Sequence, residues 1–107
     1  MAHWATADPI VPHLPITLQL RLGMPASTFT YVYILRSEAN KDAHYTGCTT
    51  DLKARLTKHN EGGVPHTAKW RPWIIETAVR FRDPAKARAF EKYLKSGSGR
   101  AFAIRHF

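Results

Sequence analysis

Phosphate-cradling glycine loops and long apolar runs are what this chain lacks, and cysteines and acidic residues are few. Cys48 is the sole cysteine, so no disulfide can form within the chain, which fits a reducing compartment. It has no cysteine or histidine at metal-ligand spacing and reads as structural. No apolar run approaches the roughly 18 residues of a membrane span. The N-terminus has no basic start, apolar centre and small-residue cleavage site of a secretory signal. A cytoplasmic protein without a membrane partner is the expectation. Nucleotide-binding glycine loops and a nucleophile elbow are missing too, which removes two large enzyme classes.

The charge is lopsided. Eight acids stand against 16 bases in 107 residues, a net charge of +8. Residues 1–29 hold only Asp8 and Arg21, so the whole surplus lies in residues 30–107. Such a field favours polyanions, with nucleic acid first and an anionic membrane surface second. The plainer alternative is that the charge serves solubility alone.

Residues 1–29 hold four of the seven prolines, each of which removes a backbone donor and restricts its predecessor. Only Ile16–Leu22 alternates like a strand. The segment reads as an irregular, mobile leader, and Met24 offers a second start that would make residues 1–23 an extension. From Thr30 the pattern is orderly. "YVYILR" (31–36) reads as a strand, "SEANKDA" as a connector and "HYTG" (44–47) as the hairpin partner. Thr50 or Asp51 can cap a helix that ends at Gly62-Gly63. "WIIETAVRF" (73–81) reads as a third strand. Asp83-Pro84 then starts a helix to about Lys95. "SGSG" (96–99) reads as a break, and "RAFAIRHF" as a last short helix. The order is β-β-α-β-α-α, an α+β fold with helices on a small, mostly antiparallel three-stranded sheet.

Two helices carry charge on the face that should be buried. At helical spacing, Leu52 and Leu56 share a stripe with Arg55 and His59; Ala87, Phe90 and Leu94 share one with Glu91. Burying an unpaired charge costs several kcal/mol, so Arg55 and Glu91 need partners or an open cleft. Either they pair with each other or reach the edge, or they border a pocket for a phosphate and a divalent metal. His59 alone is more readily a satisfied interior histidine than a catalyst.

The combination resembles the GIY-YIG nuclease family. "YVY" at 31–33 and "YTG" at 45–47, with eleven residues between Tyr33 and Tyr45, are similar to the two halves of that signature. "DLKARLTKHNEG" looks like the following helix and "EKYLKSGSGRAFA" like the later one. Tyr31 replaces the first glycine of the family pattern and Thr46 an isoleucine. A late asparagine of many family nucleases has no counterpart in "AFAIRHF". The likeness spans about residues 30–107 and is nearest to small, single-domain predicted endonucleases. It implies metal-dependent hydrolysis of phosphodiester bonds in DNA with low sequence specificity, in repair or recombination or with a protein partner that supplies specificity. It further implies Tyr33, Tyr45, Arg55, His59 and Glu91 as catalytic residues, with Glu91 holding one Mg²⁺ or Mn²⁺. In that reading Tyr33 takes the proton of the attacking water, Tyr45 hydrogen-bonds within the site, and His59 is a reserve proton relay. Lys53, Lys58, Lys69, Arg71, Lys92, Lys95 and Arg100 would follow the nucleic-acid backbone. The rival reading is a non-cleaving nucleic-acid-binding module on the same fold.

Overall fold

Thr30–Ser37 is rich in β-branched and aromatic residues, and it forms β1, the central strand of the sheet. The structure is a computed structural model that describes residues 28–107 and, before them, Thr17 alone. The readings made on the leader, its irregularity and the second start at Met24, lie outside the described residues. Thr17 is helical and exposed, against the strand-like alternation read across Ile16–Leu22.

Strand β2 (His44–Thr49) and strand β3 (Trp73–Phe81) flank β1 in the order β2-β1-β3, both antiparallel to it. β2 runs two residues past the expected "HYTG", because Val32 and Tyr31 continue the ladder with Cys48 and Thr49. Tyr33 thereby faces Gly47 across the strands. On the other side the register shifts between Ile34 and Leu35, leaving Glu76 as the extra residue of a bulge.

Helix α1 (Leu52–Asn60) starts at Asp51, whose carboxylate accepts the Ala54 amide at 3.0 Å. It ends before Gly62, which takes the left-handed φ of 80° that other residues avoid. Helix α2 (Pro84–Leu94) starts at Asp83 as expected. The expected break at Ser96–Gly99 is corrected: helix α3 already begins at Gly97 (Gly97–His106). The Ser96 hydroxyl caps it, accepting the Gly99 amide at 3.2 Å. Gly99 is buried, and a Cβ there would lie inside the Tyr93 carbonyl group. The glycine is there for close approach of α3 to the end of α2, not to stop a helix.

Alternation splits the sheet into two faces. Val32 and Ile34 point to one face and pack on Ala87 and Leu94 of α2, with Phe81, Phe90 and Phe102 around them. Tyr33 and Leu35 point to the other and pack with Trp73, Leu52 and Leu56. α1 therefore covers one face and α2 with α3 the other. Burying a side chain of this size contributes about 1.5–3 kcal/mol, which anchors both layers to the same central strand. Among the described residues no helix is long and apolar enough to cross a membrane.

Candidate active site

The buried stripe of α1 is as the sequence suggests. Leu52 and Leu56 are half-buried, Arg55 is half-buried and His59 is fully buried. His59 lands on Tyr33. The Tyr33 phenol oxygen and His59 Nε2 are 3.0 Å apart, and the other ring nitrogen, Nδ1, lies 2.7 Å from the Thr67 hydroxyl. The loop after α1 delivers Thr67, buried at 1 % exposure, and Trp73 clamps it by donating its indole N–H to the Thr67 carbonyl at 2.9 Å. Asn60 fixes the same corner by accepting the Trp73 amide at 2.6 Å and donating to its carbonyl at 3.1 Å.

Tyr45 packs its ring at a tilt of 59° against His59, with centroids 4.8 Å apart, and lies 6.3 Å from the ring of Tyr33. Among the described residues no hydrogen bond is made by its hydroxyl. Arg55 donates to the Cys48 carbonyl at 3.4 Å on edge strand β2, and its guanidinium lies beside the Tyr33 phenol. Glu91 approaches the same strand from the opposite face, near enough to act on Cys48 and Tyr33 by its charge. Arg55 and Glu91 do not pair with each other. The Glu91 carboxylate accepts the Lys95 ammonium at 2.9 Å instead, one helical turn on.

The electrostatics follow from this placement. Burial pushes the Tyr33 phenol above its ordinary value of 10, and the Arg55 hydrogen bond and charge pull back only part of that. Burial, then the charges of Arg55 and Lys58, hold His59 below its ordinary 6.5, so the imidazole is neutral at pH 7. Burial, then the Glu91 carboxylate, raises the Cys48 thiol, keeping it protonated in its half-buried place.

The basic residues divide. Lys53, Lys58, Lys69, Lys92 and Arg100 are exposed. Lys69 lies over the Trp70 ring at 5.1 Å. Arg71 folds back to donate to the Ala68 carbonyl at 2.6 Å, and Lys95 is engaged with Glu91. A cleft of about 580 Å³ opens beside the cluster, sharing Tyr45 and Lys95 with it and walled by Ile34, Leu94 and Ile104, with Arg100 at its rim. Sequence reasoning missed Thr67, which no periodicity connects to His59. It also missed Arg88, whose charge reaches Cys48 and whose spacing three residues before Glu91 is a helical-face signal. No group of three or more His, Cys, Asp or Glu residues gathers as a metal cage among the described residues.

Comparison with known proteins gives the family. Residues 29–103 match the model of the GIY-YIG catalytic domain. UPF0213 protein SH2523 of Staphylococcus haemolyticus is 35% identical over 69 residues, covering 64% of this chain and 82% of that protein. UPF0213 protein H16_B0156 of Cupriavidus necator is 35% identical over 83 residues, covering 74% of this chain and 88% of that one. The structure-specific endonuclease subunit slx1 of Aspergillus clavatus is 37% identical over 67 residues, which is 58% of this chain and 15% of the much longer relative. With the family model covering most of its length and the expected β-β-α-β-α-α order in place, the chain belongs to the GIY-YIG catalytic domain family.

Proposed function

We propose that this protein is a metal-dependent endonuclease that hydrolyses phosphodiester bonds in DNA, with low sequence specificity and a preference for branched or damaged structure. The observation that carries the reading is the buried Tyr33–His59 contact at 3.0 Å, with Arg55 beside it. A free phenol is ionised in only about one molecule in a thousand at pH 7. Burial makes ionisation rarer still here, so Tyr33 does not act as a standing phenolate. It acts as a relay. As water attacks phosphorus, the water proton passes to the Tyr33 oxygen while the Tyr33 proton passes to His59 Nε2. The P–O bond to the leaving oxygen breaks, and solvent protonates that oxygen. His59 suits the receiving end because it is held neutral.

Arg55 binds a phosphate oxygen with its planar fork and stabilises the charge that grows in the transition state. Tyr45 orients His59 by ring packing and keeps its hydroxyl for the phosphate. The exposed lysines and arginines neutralise neighbouring phosphates, which gives affinity and salt dependence but little sequence choice. The relation to a structure-specific endonuclease subunit supports the preference for branched DNA, and a protein partner that supplies specificity.

The family implies a divalent ion, Mg²⁺ or Mn²⁺, and the donor set fits one. Glu91 is a single carboxylate with its side chain 22% exposed, and such ions are held by one or two carboxylates with water and phosphate completing the shell. Among the described residues its Oε1 takes no hydrogen bond. Bound there, the ion would neutralise charge on the scissile phosphate and the departing oxygen. The Lys95 ion pair contributes only about 0.3–0.5 kcal/mol at such a partly exposed helical position, so a dication displaces it readily. That same pair is the observation that favours a non-cleaving binder, because the carboxylate is already neutralised.

A cleavage assay on supercoiled and branched DNA with Mg²⁺, Mn²⁺ or EDTA separates the two, run with wild type and Glu91→Ala after both are checked for folding. Metal-dependent nicking that Glu91→Ala abolishes, with DNA retention intact, supports the nuclease. Salt-sensitive binding without nicking under any condition sinks it in favour of the binder.

A further inference from the structure

We infer that Thr67 is a positioning residue that locks His59 in the Nδ1–H tautomer, leaving Nε2 bare to receive the Tyr33 proton. The inference rests on the relay proposed above but reaches a residue outside the family motifs. Its ground is hydrogen-bond satisfaction in a buried row. The Thr67 hydroxyl is 2.7 Å from Nδ1 and donates to the Val64 carbonyl at 3.2 Å. With its proton used on Val64, the oxygen can only accept, so Nδ1 must carry the hydrogen. Nε2 is then an acceptor, and the Tyr33 hydroxyl at 3.0 Å donates to it. Every proton in the row has a destination.

The opposite tautomer fails this test. In the substrate-free protein, with Nε2–H donating to Tyr33, the phenol proton would need another acceptor around a residue that is 1% exposed. Arg55 beside it is donor only, and no other acceptor meets the phenol among the described residues. An unsatisfied buried donor is penalised, which favours the first arrangement by a factor of about 5 to 160. The opposite tautomer would also block the chemistry, since an Nε2 that already holds a proton cannot take another without first losing it. Thr67 is fit for the task because it cannot turn away. Its amide donates to Val64 at 3.1 Å, and its carbonyl accepts from Trp70 at 3.1 Å and from the Trp73 indole at 2.9 Å.

The test uses the full chain. Long-range ¹H–¹⁵N NMR reads the protonation of each ring nitrogen, with the His59 signals assigned by comparison with His59→Gln. Wild type and Thr67→Ser should show Nδ1 protonated and Nε2 bare; isosteric Thr67→Val should show a mixed or reversed tautomer while keeping the backbone anchors. Under single-turnover conditions Thr67→Val should cut about tenfold more slowly at saturating enzyme, with unchanged DNA affinity, and Thr67→Ser should restore the rate. A wild-type Nε2–H tautomer overturns the inference, as does a Thr67→Val protein whose His59 signals and rate both match wild type. If the tautomers behave as stated but no variant cuts DNA with any metal, the lock stands and the nuclease reading fails.

Discussion

Gly47→Ala is the sharpest perturbation that this structure offers. Gly47 faces Tyr33 across β1 and β2, and a Cβ there would sit 2.5 Å from the Tyr33 ring carbon Cζ, nearer still to its oxygen. Non-bonded carbons rest about 3.5–4.0 Å apart, so the ring must retreat by roughly 1 Å. It has little room, because its far side is packed in the core with Leu35 and Trp73. Displacing the phenol by about 1 Å disturbs its 3.0 Å contact to His59. Overpacking costs about 1–3 kcal/mol and a buried donor left unmade about 1–3 more. The expected destabilisation is about 2–6 kcal/mol, a melting temperature lower by roughly 10 °C or more for a domain of this size. Misplacing a reacting group by about 1 Å costs about a hundredfold in rate. The assay is single-turnover nicking at a temperature where circular dichroism shows the variant folded, with DNA binding measured beside it. A hundredfold slower cut with binding retained is the expected result. A folded Gly47→Ala protein that cuts at the wild-type rate would refute the placement of Tyr33 at the reacting centre.

Three further expectations can be checked in the same preparations. Arg55→Lys keeps the charge but loses the planar fork, and should slow cutting by about 10²–10³ while changing affinity little; an undiminished rate would remove Arg55 from the transition state. Lys95→Gln frees the Glu91 carboxylate, so half-maximal nicking should need less Mg²⁺ than in wild type; a higher requirement would show that the lysine helps to build the site. Because His59 is held below 6.5, its contribution to stability is complete above about pH 6.5 and lost as pH falls toward the folded value. Thermal melts from pH 7.5 to 5 should therefore fall on the acid side, and His59→Gln should flatten that slope; an equal slope in both proteins would contradict the assignment.

Much of this is legible in the sequence, for reasons that differ by residue. The stripe Leu52, Arg55, Leu56 and His59 could be read because helical periodicity is local. Asp51 and Asp83 announced their helices through cap chemistry, while Gly99 misled because a glycine needed for close packing looks the same as one that ends a helix. Lys95 stood four residues from Glu91 and could have been paired from spacing alone. Thr67 could not. Its bond to His59 depends on how the loop of residues 61–72 closes, and that closure is set by Asn60, Trp70 and Trp73 together. The reason for Gly47 was equally hidden, since it lies in the pairing register with Tyr33.

The two faces of the sheet have a consequence for how this protein fails. Arg55 and His59 arrive at β2 from the α1 layer and Glu91 from the α2 layer, with a single thickness of backbone between them. Neither layer holds a complete set of the proposed reacting groups. Loosening either one disassembles the set before the other has melted, so no half-folded form retains partial activity. Heat inactivation should then track the first layer to open rather than the last, and a nuclease built this way is silent whenever it is not whole.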